Sequence, residues 1–328
     1  MNRIVCFHLY NDYSGSPKVL KMVLEGLLRR GREVDLITSS GGVLDGLAAL
    51  DGLRVRHYRY RFSENKVLTM LRYVSVQIYT FLVALGYWRQ KDTTFYINTI
   101  LPIGPAMAGR LMGKRLVYHY HENAYIKGRF YRALAWAMQR LADEIVCVSA
   151  YQASFLKRKE GVRVVPNALP REFVGRLKPD PNAAFSRKTI LMLSSLKEYK
   201  GTREFIQLSH ILPQYQFVLV INDTQENIDK YLSDNKLNGG GNLNVYPRQS
   251  DVARFYNEAS IVLCLTNPNM AIETFGLTAL EAMTAGLPVI VPTVGGIAEM
   301  VDDGDNGYKI DVAFMEGRHS CRPQRRKN

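Results

Sequence analysis

The feature that most constrains this chain is a repeated alternation of short apolar runs with longer stretches of helical spacing. Many of the runs are rich in valine and isoleucine and apolar on both faces, which is typical of buried parallel strands. A strand, a helix and a second strand form the repeating unit of doubly wound α/β domains. The predicted strands of the first half are 3–9, 33–39, 54–60, 94–98, 115–121, 144–149 and 163–166.

The stretch between the first two strands carries the signals of a helix. Ser16 is the predicted N-cap, Pro17 suits the first helical position, and Gly31 can end the helix. The apolar residues that follow helical spacing are Val19, Leu20, Val23, Leu24, Leu27 and Leu28. The chain therefore starts with a strand–helix–strand unit.

A polar, proline-containing segment at 169–188 interrupts the alternation and predicts an interdomain linker. The pattern then restarts, with predicted strands at 189–194, 216–221, 243–246, 260–265 and 288–292. We therefore predict two Rossmann-like, doubly wound domains facing a cleft, at 1–168 and 189–312. The remaining residues, 313–328, form a basic tail without helical spacing, which indicates a truncated C-terminal end.

Charge and composition narrow the class of protein. The net charge is +13, but five Arg/Lys lie within residues 317–328, and no aromatic–basic pattern typical of nucleic-acid binding is present. The opening residues read as a buried strand and not as a secretory leader. Cys6, Cys147 and Cys264 lie in apolar runs and predict buried, reduced thiols. A cytoplasmic protein without nucleic-acid partners is the simplest expectation.

The run VLTMLRYVSVQIYTFLVALGYW at 67–88 is long and apolar enough to span a bilayer, yet it contains Arg72 and Gln77. A helix packed between two strands of the first domain is favoured over a membrane span. An alternative is a peripheral contact of its exposed face with an anionic membrane surface, at the inner face of the cell membrane.

The segment AIETFGLTALEAMTAGLPVIVP at 271–292 places Glu273 before a turn and Glu281 in the predicted helix that follows the turn. Gly276 allows a ligand close to the backbone, and the first amides of a helix bind anions. Two carboxylates would repel a bare diphosphate. A nucleotide sugar removes the conflict, because its two rings offer hydroxyl donors to the carboxylates while the helix N-terminus holds the diphosphate.

With these motifs the chain resembles the retaining glycosyltransferases of family 4, which have the GT-B fold. The glutamate pair with FG between them and EAMTAGLPVIVPTVGGIAEMV after the turn is the most specific part. The segments YHYHEN, IVCVSAY and VPNAL of the first domain are similar to bacterial capsular and surface polysaccharide enzymes. The resemblance implies sugar transfer from a nucleotide sugar donor to a glycan or lipid-linked acceptor.

The resemblance also implies roles for individual residues. Glu273 would contact the donor sugar and Glu281 the ribose. Lys200 would neutralise the diphosphate, and His121 would lie beside the transferred sugar, although His119 on the same strand face could compete with it.

Other expected donor contacts come from backbone and small residues. The amides of Phe275, Gly276 and Leu277 would meet the sugar and diphosphate, and Gly15 and Ser16 would form a loop closing over the donor. Ser195 stands where the family usually has an arginine, which removes a forked contact to the diphosphate, and Lys197 or Arg248 could compensate. These are implications of the resemblance.

No cofactor and no metal are expected. The stretch Asp303-Gly304-Asp305 imitates a metal-binding pair of aspartates, but a turn is favoured there. Two other functions stay open: a nucleotide-sugar epimerase of the same fold, and a truncated inactive chain that only binds nucleotide or a partner.

Overall fold

The computed structural model describes residues 3–313. Contacts divide the chain into two compact units, with the division between Ala168 and Leu169. We call the residues up to 168 unit 1 and those from 169 unit 2; each contains one parallel sheet with helices. The basic tail predicted at 313–328 lies outside the described residues from position 314 onward.

The sheet of unit 1 has seven parallel strands in the order β3-β2-β1-β4-β5-β6-β7. All seven predicted strands are present, with ends within two residues of the prediction. The strands are β1 Arg3–His8, β2 Val34–Ser39, β3 Leu53–Tyr58, β4 Thr93–Asn98, β5 Arg115–Tyr120, β6 Glu144–Cys147 and β7 Val162–Val164. Strand β2 is buried at every position, as expected for a parallel strand covered on both faces, although it includes Asp35, Thr38 and Ser39.

Five helices connect these strands: α1 Gly15–Arg29, α2 Lys66–Leu85, α3 Ile103–Leu111, α4 Arg129–Leu141 and α5 Ala150–Ser154. The prediction of Ser16 as the N-cap of α1 is wrong, because Ser14 occupies that position. The Asp12 carboxylate accepts a hydrogen bond of 2.9 Å from the Ser14 amide and turns the chain into the helix two residues earlier. Gly31 adopts φ +70° just after the helix, as predicted for its end.

The sheet of unit 2 has six parallel strands in the order β10-β9-β8-β11-β12-β13. They are β8 Thr189–Ser194, β9 Gln216–Ile221, β10 Leu243–Tyr246, β11 Ile261–Leu263, β12 Val289–Pro292 and β13 Gly307–Ile310. The last of these was not predicted, because β13 is short and mostly half-exposed. Gly307 pairs with Val289, and a Cβ at this glycine would lie 2.1 Å from the Val289 carbonyl oxygen.

The helices of unit 2 are α6 Arg171–Val174, α7 Pro181–Arg187, α8 Thr202–Ile211, α9 Gln225–Asp234, α10 Ala253–Glu258 and α11 Leu277–Thr284. The first two lie within the segment predicted as a linker. Phe173, Leu177 and Ala184 of that segment are buried in a hydrophobic cluster of unit 2. The segment therefore packs as part of unit 2.

Each sheet has one point where the strand order reverses. In unit 1 this point lies between β1 and β4, and in unit 2 between β8 and β11. Chain segments leaving two such neighbouring strands turn in opposite directions, which opens a crevice at their carboxyl ends where α/β proteins bind ligands. The two reversal points position the candidate sites of the two units.

Candidate functional site

Unit 2 places a compact polar cluster beyond the carboxyl ends of β8 and β11. The Lys200 ammonium forms an ion pair and a hydrogen bond with Glu273 Oε1. The Thr266 hydroxyl donates a hydrogen bond of 2.9 Å to the same oxygen. Within residues 3–313, Glu273 Oε2 has no such partner, so this oxygen remains able to accept a hydrogen bond.

The electrostatics of the cluster keep both partners charged. Burial raises the pKa of Glu273, but the charge and hydrogen bond of Lys200 and the Thr266 hydroxyl lower it, and the net direction is down. Burial lowers the pKa of Lys200, but Glu273 raises it, and the net direction is up. A carboxylate and an ammonium are therefore present together at neutral pH.

Glycines hold both partners of the pair in place. Gly201, directly after Lys200, has φ +76°, and a Cβ there would lie 2.4 Å from the Leu265 carbonyl oxygen. On the other side, the Gly296 amide donates a hydrogen bond of 2.8 Å to the Glu273 carbonyl oxygen. A Cβ at Gly295 would lie 2.6 Å from that same carbonyl oxygen, so larger residues would displace Glu273.

The turn after Glu273 leads into α11 as predicted. Gly276 caps the helix with φ +97°, and a Cβ at this position would lie 2.5 Å from Ile297 Cγ1. Phe275 is buried beside it. Among the described residues, no protein acceptor takes a hydrogen bond from the amides of Phe275, Gly276 or Leu277. These amides lie at the positive end of the helix dipole.

Glu281 lies on α11 and is held by a residue that the sequence analysis missed. The Tyr256 hydroxyl donates a hydrogen bond of 2.5 Å to Glu281 Oε2. Burial raises the pKa of Tyr256 well above its usual value, and the Glu281 charge adds to this, so the phenol stays protonated. Tyr256 is 25 positions from Glu281 and carries no motif of its own, so its spacing gave no signal.

Thr266 is the other residue that was missed. It lies three positions after the last residue of β11, at the point where the strand order of the sheet reverses. That position was a signal that sequence reasoning had available and did not use.

A second cation, Lys197, accompanies the pair. The Lys197 and Lys200 ammonium groups lie 5.9 Å and 5.7 Å from the centre of the Tyr199 ring. Lys197 also contributes to the lowered pKa of Glu273. By contrast, Arg248 Nε donates a hydrogen bond of 2.8 Å to Asn222 Oδ1. Of the two residues considered as substitutes for an arginine at Ser195, Lys197 has a charge that acts on Glu273.

Ser195 follows β8 at the same reversal point. Its carbonyl oxygen accepts hydrogen bonds from Ser194 Oγ at 3.3 Å and from Thr202 Oγ1 at 3.4 Å. The backbone around Ser195 is therefore tied to the start of α8.

In unit 1, the carboxyl ends of β1, β4 and β5 bring His121 next to two other polar side chains. His121 Nε2 lies 3.0 Å from Asn98 Oδ1, and Asn98 Nδ2 lies 3.0 Å from His8 Nδ1. Because an amide oxygen only accepts and an amide nitrogen only donates, His121 donates through Nε2 and His8 accepts through Nδ1. Asn98 thus sets the tautomers of both histidines.

His119 occupies a different environment from His121. It is buried, with Nδ1 at 2.6 Å from the Tyr96 hydroxyl, and its ring centre lies 4.0 Å from that of His121. Burial lowers the pKa of His8 and of His119 to about 4. Burial, with the neighbouring His119 and His8, also lowers the pKa of His121 well below its usual value. All three imidazoles are therefore neutral at pH 7.

Gly15 and Ser16 form the first turn of α1, beyond the carboxyl end of β1. They belong to unit 1, as His121 does, whereas Ser195, Lys200, Glu273, Phe275, Gly276, Leu277 and Glu281 belong to unit 2. Cys6, Cys147 and Cys264 are buried free thiols, as predicted.

The stretch at Asp303 forms a turn, with Gly304 at φ +84° and the Asp305 amide bonded to the Asp302 carbonyl. Within residues 3–313 there is no group of three or more His, Cys, Asp or Glu side chains able to hold a metal ion.

Two family models match the chain, one on each unit. The model described as Glycosyltransferase Family 4 matches residues 13–173, and the model described as Glycosyl transferases group 1 matches residues 176–316. An uncharacterized glycosyltransferase of Methanocaldococcus jannaschii is 26% identical over 317 residues, covering 88% of this chain and 79% of that protein.

Two enzymes of known activity are similar over shorter stretches. N-acetyl-alpha-D-glucosaminyl L-malate synthase of Bacillus anthracis is 27% identical over 43% of this chain, and the match spans 37% of that enzyme. Lipopolysaccharide 1,2-N-acetylglucosaminetransferase of Salmonella typhimurium is 23% identical over 67% of this chain and 60% of that enzyme.

Solved structures share the fold over nearly the whole chain. Anabaena HepE, solved in complex with UDP and glucose, has a TM-score of 0.72 at 19% identity, covering 97% of this chain and 89% of its own. WaaG, a glycosyltransferase involved in lipopolysaccharide biosynthesis, has a TM-score of 0.64 at 16% identity, covering 94% of this chain and 85% of its own.

Two Rossmann-like parallel sheets and these structural neighbours define the GT-B fold. With one glycosyltransferase model matching each unit, the chain is placed among the glycosyltransferases of the GT-B type.

Proposed function

We propose that this chain transfers a sugar from a nucleotide diphosphate sugar to a hydroxyl of a glycan or lipid-linked acceptor, with retention of the anomeric configuration. The observation that carries the proposal is the Lys200–Glu273 pair next to the first amides of α11. This part of unit 2 offers a cation and backbone amides that can bind an anion. It also offers a carboxylate that can accept hydrogen bonds from hydroxyl groups. HepE, which shares the fold, was solved with UDP and glucose, and this supports a donor of that class.

In this proposal the diphosphate meets Lys200 and the amides of Phe275, Gly276 and Leu277. The ammonium and the helix dipole stabilise the charge that develops on the leaving diphosphate, which is electrostatic catalysis. Lys197 adds a second cation where Ser195 supplies only a hydroxyl. A lysine pair and a helix N-terminus do the work of a divalent ion, so the proposal needs no metal and no cofactor.

The two glutamates hold the two ends of the donor. Glu273 accepts hydrogen bonds from hydroxyls of the donor sugar through Oε2, because its Oε1 already accepts hydrogen bonds from Lys200 and Thr266. Glu281 holds the ribose, and the Tyr256 hydrogen bond fixes the direction of its carboxylate. Hydrogen bonds to a charged carboxylate are stronger than those between neutral groups.

Unit 1 is assigned the acceptor side and the contacts that close over the donor. His121 positions the transferred sugar as a neutral imidazole, with its ring oriented by Asn98. Gly15 and Ser16 were expected in a loop but lie in the first turn of α1, and in this proposal that turn closes over the donor. These roles rest on the family resemblance together with the place of each residue at a strand or helix end.

The proposed chemical step needs no protein nucleophile. The bond from the anomeric carbon to the diphosphate oxygen breaks, and the acceptor oxygen bonds to that carbon on the same face. The acceptor proton passes to the departing diphosphate oxygen, which the Lys200 charge and the α11 amides hold nearby. A surface polysaccharide is the proposed end product, in a cytoplasmic reaction, and the similar Salmonella lipopolysaccharide transferase supports that pathway class.

The test is a transfer assay with a panel of nucleotide sugars and glycan or lipid-linked acceptors, in which nucleoside diphosphate release and product configuration are both measured. We expect acceptor-dependent release with a retained anomeric configuration, and its loss in Glu273→Gln but not in the exposed control Glu226→Gln. An inverted product contradicts the retaining mechanism. A changed sugar formed without acceptor identifies an epimerase, and binding without turnover identifies an inactive binding chain.

A further inference from the structure

One face of α2 exposes large apolar side chains to solvent along its whole length. At about 100° per residue these positions fall within about 80° of the helix circumference, over a length of roughly 22 Å. Their relative exposures run from 45% to 69%. This apolar stripe consists of Val67, Leu71, Val74, Ile78 and Leu82.

The opposite side of α2 is fixed to unit 1 by polar contacts. The Gln77 side-chain oxygen accepts a hydrogen bond of 2.9 Å from the Gly104 amide, and the Tyr73 hydroxyl donates one of 2.8 Å to the Leu101 carbonyl. A Cβ at Gly104 would lie 2.1 Å from the Gln77 carbonyl oxygen, so α3 packs directly on the α2 backbone. Among the described residues, the helix therefore has one face packed on unit 1 and one face exposed to solvent.

Basic residues flank the apolar stripe at both ends. Residues 54–91 contain eight Arg/Lys and one acid, Glu64. On the N-terminal side of α2, the exposed basic residues are Arg59, Arg61 and Lys66, the last of which is the first residue of the helix. On the C-terminal side they are Arg89 and Lys91. In the part of the chain that the structure describes, none of these five pairs with a carboxylate.

Exposed aromatic side chains accompany the charges. Phe62 precedes the helix and is 59% exposed, and Trp88 follows it and is 61% exposed. Arg72 on α2 donates a hydrogen bond of 3.0 Å to the Arg61 carbonyl, which fixes the basic and aromatic loop against the helix. Aromatic rings at the boundary between charged and apolar surface are typical of membrane interfaces.

We propose that the apolar stripe docks unit 1 onto an anionic lipid bilayer, with the α2 axis parallel to the membrane surface. The stripe enters the boundary between headgroups and acyl chains, and the flanking Arg and Lys bind lipid phosphates. A second copy of this chain fits less well, because the same cluster of uncompensated positive charge would face itself.

By length and composition alone, α2 could also cross a bilayer, and it is the one helix among the described residues for which this holds. The polar contacts of Gln77 and Tyr73 with unit 1 favour docking in the surface plane over crossing. The proposal goes beyond sugar transfer, since docking needs only unit 1 surface residues. It would bring the enzyme to lipid-linked acceptors, which deepens the proposed function if that function holds.

The test is sedimentation of the full chain with vesicles of mixed phosphatidylglycerol and phosphatidylcholine, compared with pure phosphatidylcholine. We expect binding to the mixed vesicles that weakens with added salt, and weak binding to the pure ones. Leu71→Ser with Ile78→Ser should lower the vesicle partition coefficient by about tenfold or more. Both residues are exposed, so folding is retained, and Ile211→Ser, at a 69% exposed residue of unit 2, is the matched control.

Charge is tested separately. Arg59→Gln with Arg61→Gln and Lys66→Gln should weaken binding to the mixed vesicles and reduce its salt dependence, whereas the exposed control Lys230→Gln should not. In a Trp136→Phe background, Trp88 is the single tryptophan, and its emission should shift to shorter wavelength with mixed vesicles.

Three outcomes overturn the proposal. The first is that the chain does not sediment with mixed vesicles. The second is that Ile211→Ser loses as much vesicle binding as Leu71→Ser with Ile78→Ser. The third is that the chain forms an oligomer, does not bind vesicles, and is dissociated by Leu71→Ser with Ile78→Ser. The last outcome would assign the stripe to a second copy of the chain. Since none of these measurements uses a sugar donor, their failure is distinct from failure of the transfer proposal.

Discussion

The Lys200 ammonium and the Glu273 carboxylate form an ion pair across 73 positions of sequence, at the point where the strand order of the unit 2 sheet reverses. The pair gives unit 2 a cation and an anion side by side, each half-buried and each charged at neutral pH. In the proposed function, the ammonium meets the diphosphate and the carboxylate accepts a hydrogen bond from a sugar hydroxyl.

The first prediction concerns the coupling of this pair. Lys200→Met and Glu273→Gln should each destabilise unit 2 by about 1–3 kcal/mol, because each leaves a half-buried partner without its hydrogen bond. The double variant should lose less free energy of unfolding than the two single variants together. The difference, measured by denaturant unfolding, should be about 1 kcal/mol. Strictly additive losses would mean that the two side chains do not interact.

The second prediction concerns Tyr256. Tyr256→Phe removes the hydrogen bond that directs Glu281 and should lower the affinity for nucleoside diphosphates by about tenfold, or about 1.4 kcal/mol. Calorimetric titration measures this, with Tyr215→Phe as a control at another tyrosine of unit 2. Unchanged affinity would show that Glu281 does not need Tyr256 to bind the ribose.

The third prediction concerns the serine in place of an arginine. Lys197→Ala should weaken nucleoside diphosphate binding about tenfold, because a charge near the diphosphate is lost. Ser195→Arg should tighten binding and should restore it in the Lys197→Ala background. No gain from Ser195→Arg in either background would contradict the assignment of both residues to the diphosphate.

The fourth prediction is a loss of unit 1 stability below pH 6.5. His8, His119 and His121 have lowered pKa values in the folded state, so between about pH 6.5 and 4 the unfolded chain binds more protons than the folded one. Stability should then fall with falling pH, by at most about 1.4 kcal/mol per pH unit for each histidine. Both tryptophans, Trp88 and Trp136, lie in unit 1, so tryptophan fluorescence reports on this unit alone.

The matched variant for the pH experiment is His119→Gln, which removes one of the three imidazoles with a lowered pKa. Its unfolding midpoint should vary less steeply with pH than that of the unsubstituted chain, whereas the exposed His57→Gln should keep the original slope. Equal slopes for all three proteins would contradict a role of buried His119 in the acid sensitivity.

The sequence predicted most of the fold because buried parallel strands carry a signal that is local. Strand β9 is a run of apolar residues after its first position, whereas β13 was missed because it is short and only one of its four positions is buried. The start of α1 was predicted two residues late, because the Asp12–Ser14 contact competes with capping by Ser16. Local rules fail where a neighbouring side chain decides the backbone.

The candidate site was predicted where a residue lies in a motif and missed where it lies elsewhere. Gly276 and Glu281 follow from the turn and helix in which they stand, and the structure has that turn and helix. Tyr256 and Thr266 reach the glutamates only through the folded sheet, and no spacing rule connects them to Glu281 or Glu273. The assigned roles of the site residues remain predictions.

The central claim is that unit 2 binds a nucleotide diphosphate sugar at Lys200, Glu273 and Glu281. The most direct measurement is titration of UDP, ADP, GDP and dTDP, each with and without a sugar, into the unsubstituted chain, Glu281→Gln and the control Glu226→Gln. We predict saturable binding of one nucleotide class, which at a hundredfold excess over its Kd stabilises the chain by about 2.7 kcal/mol, and its loss in Glu281→Gln alone. Binding of no nucleotide, or equal binding by Glu281→Gln, would contradict the claim.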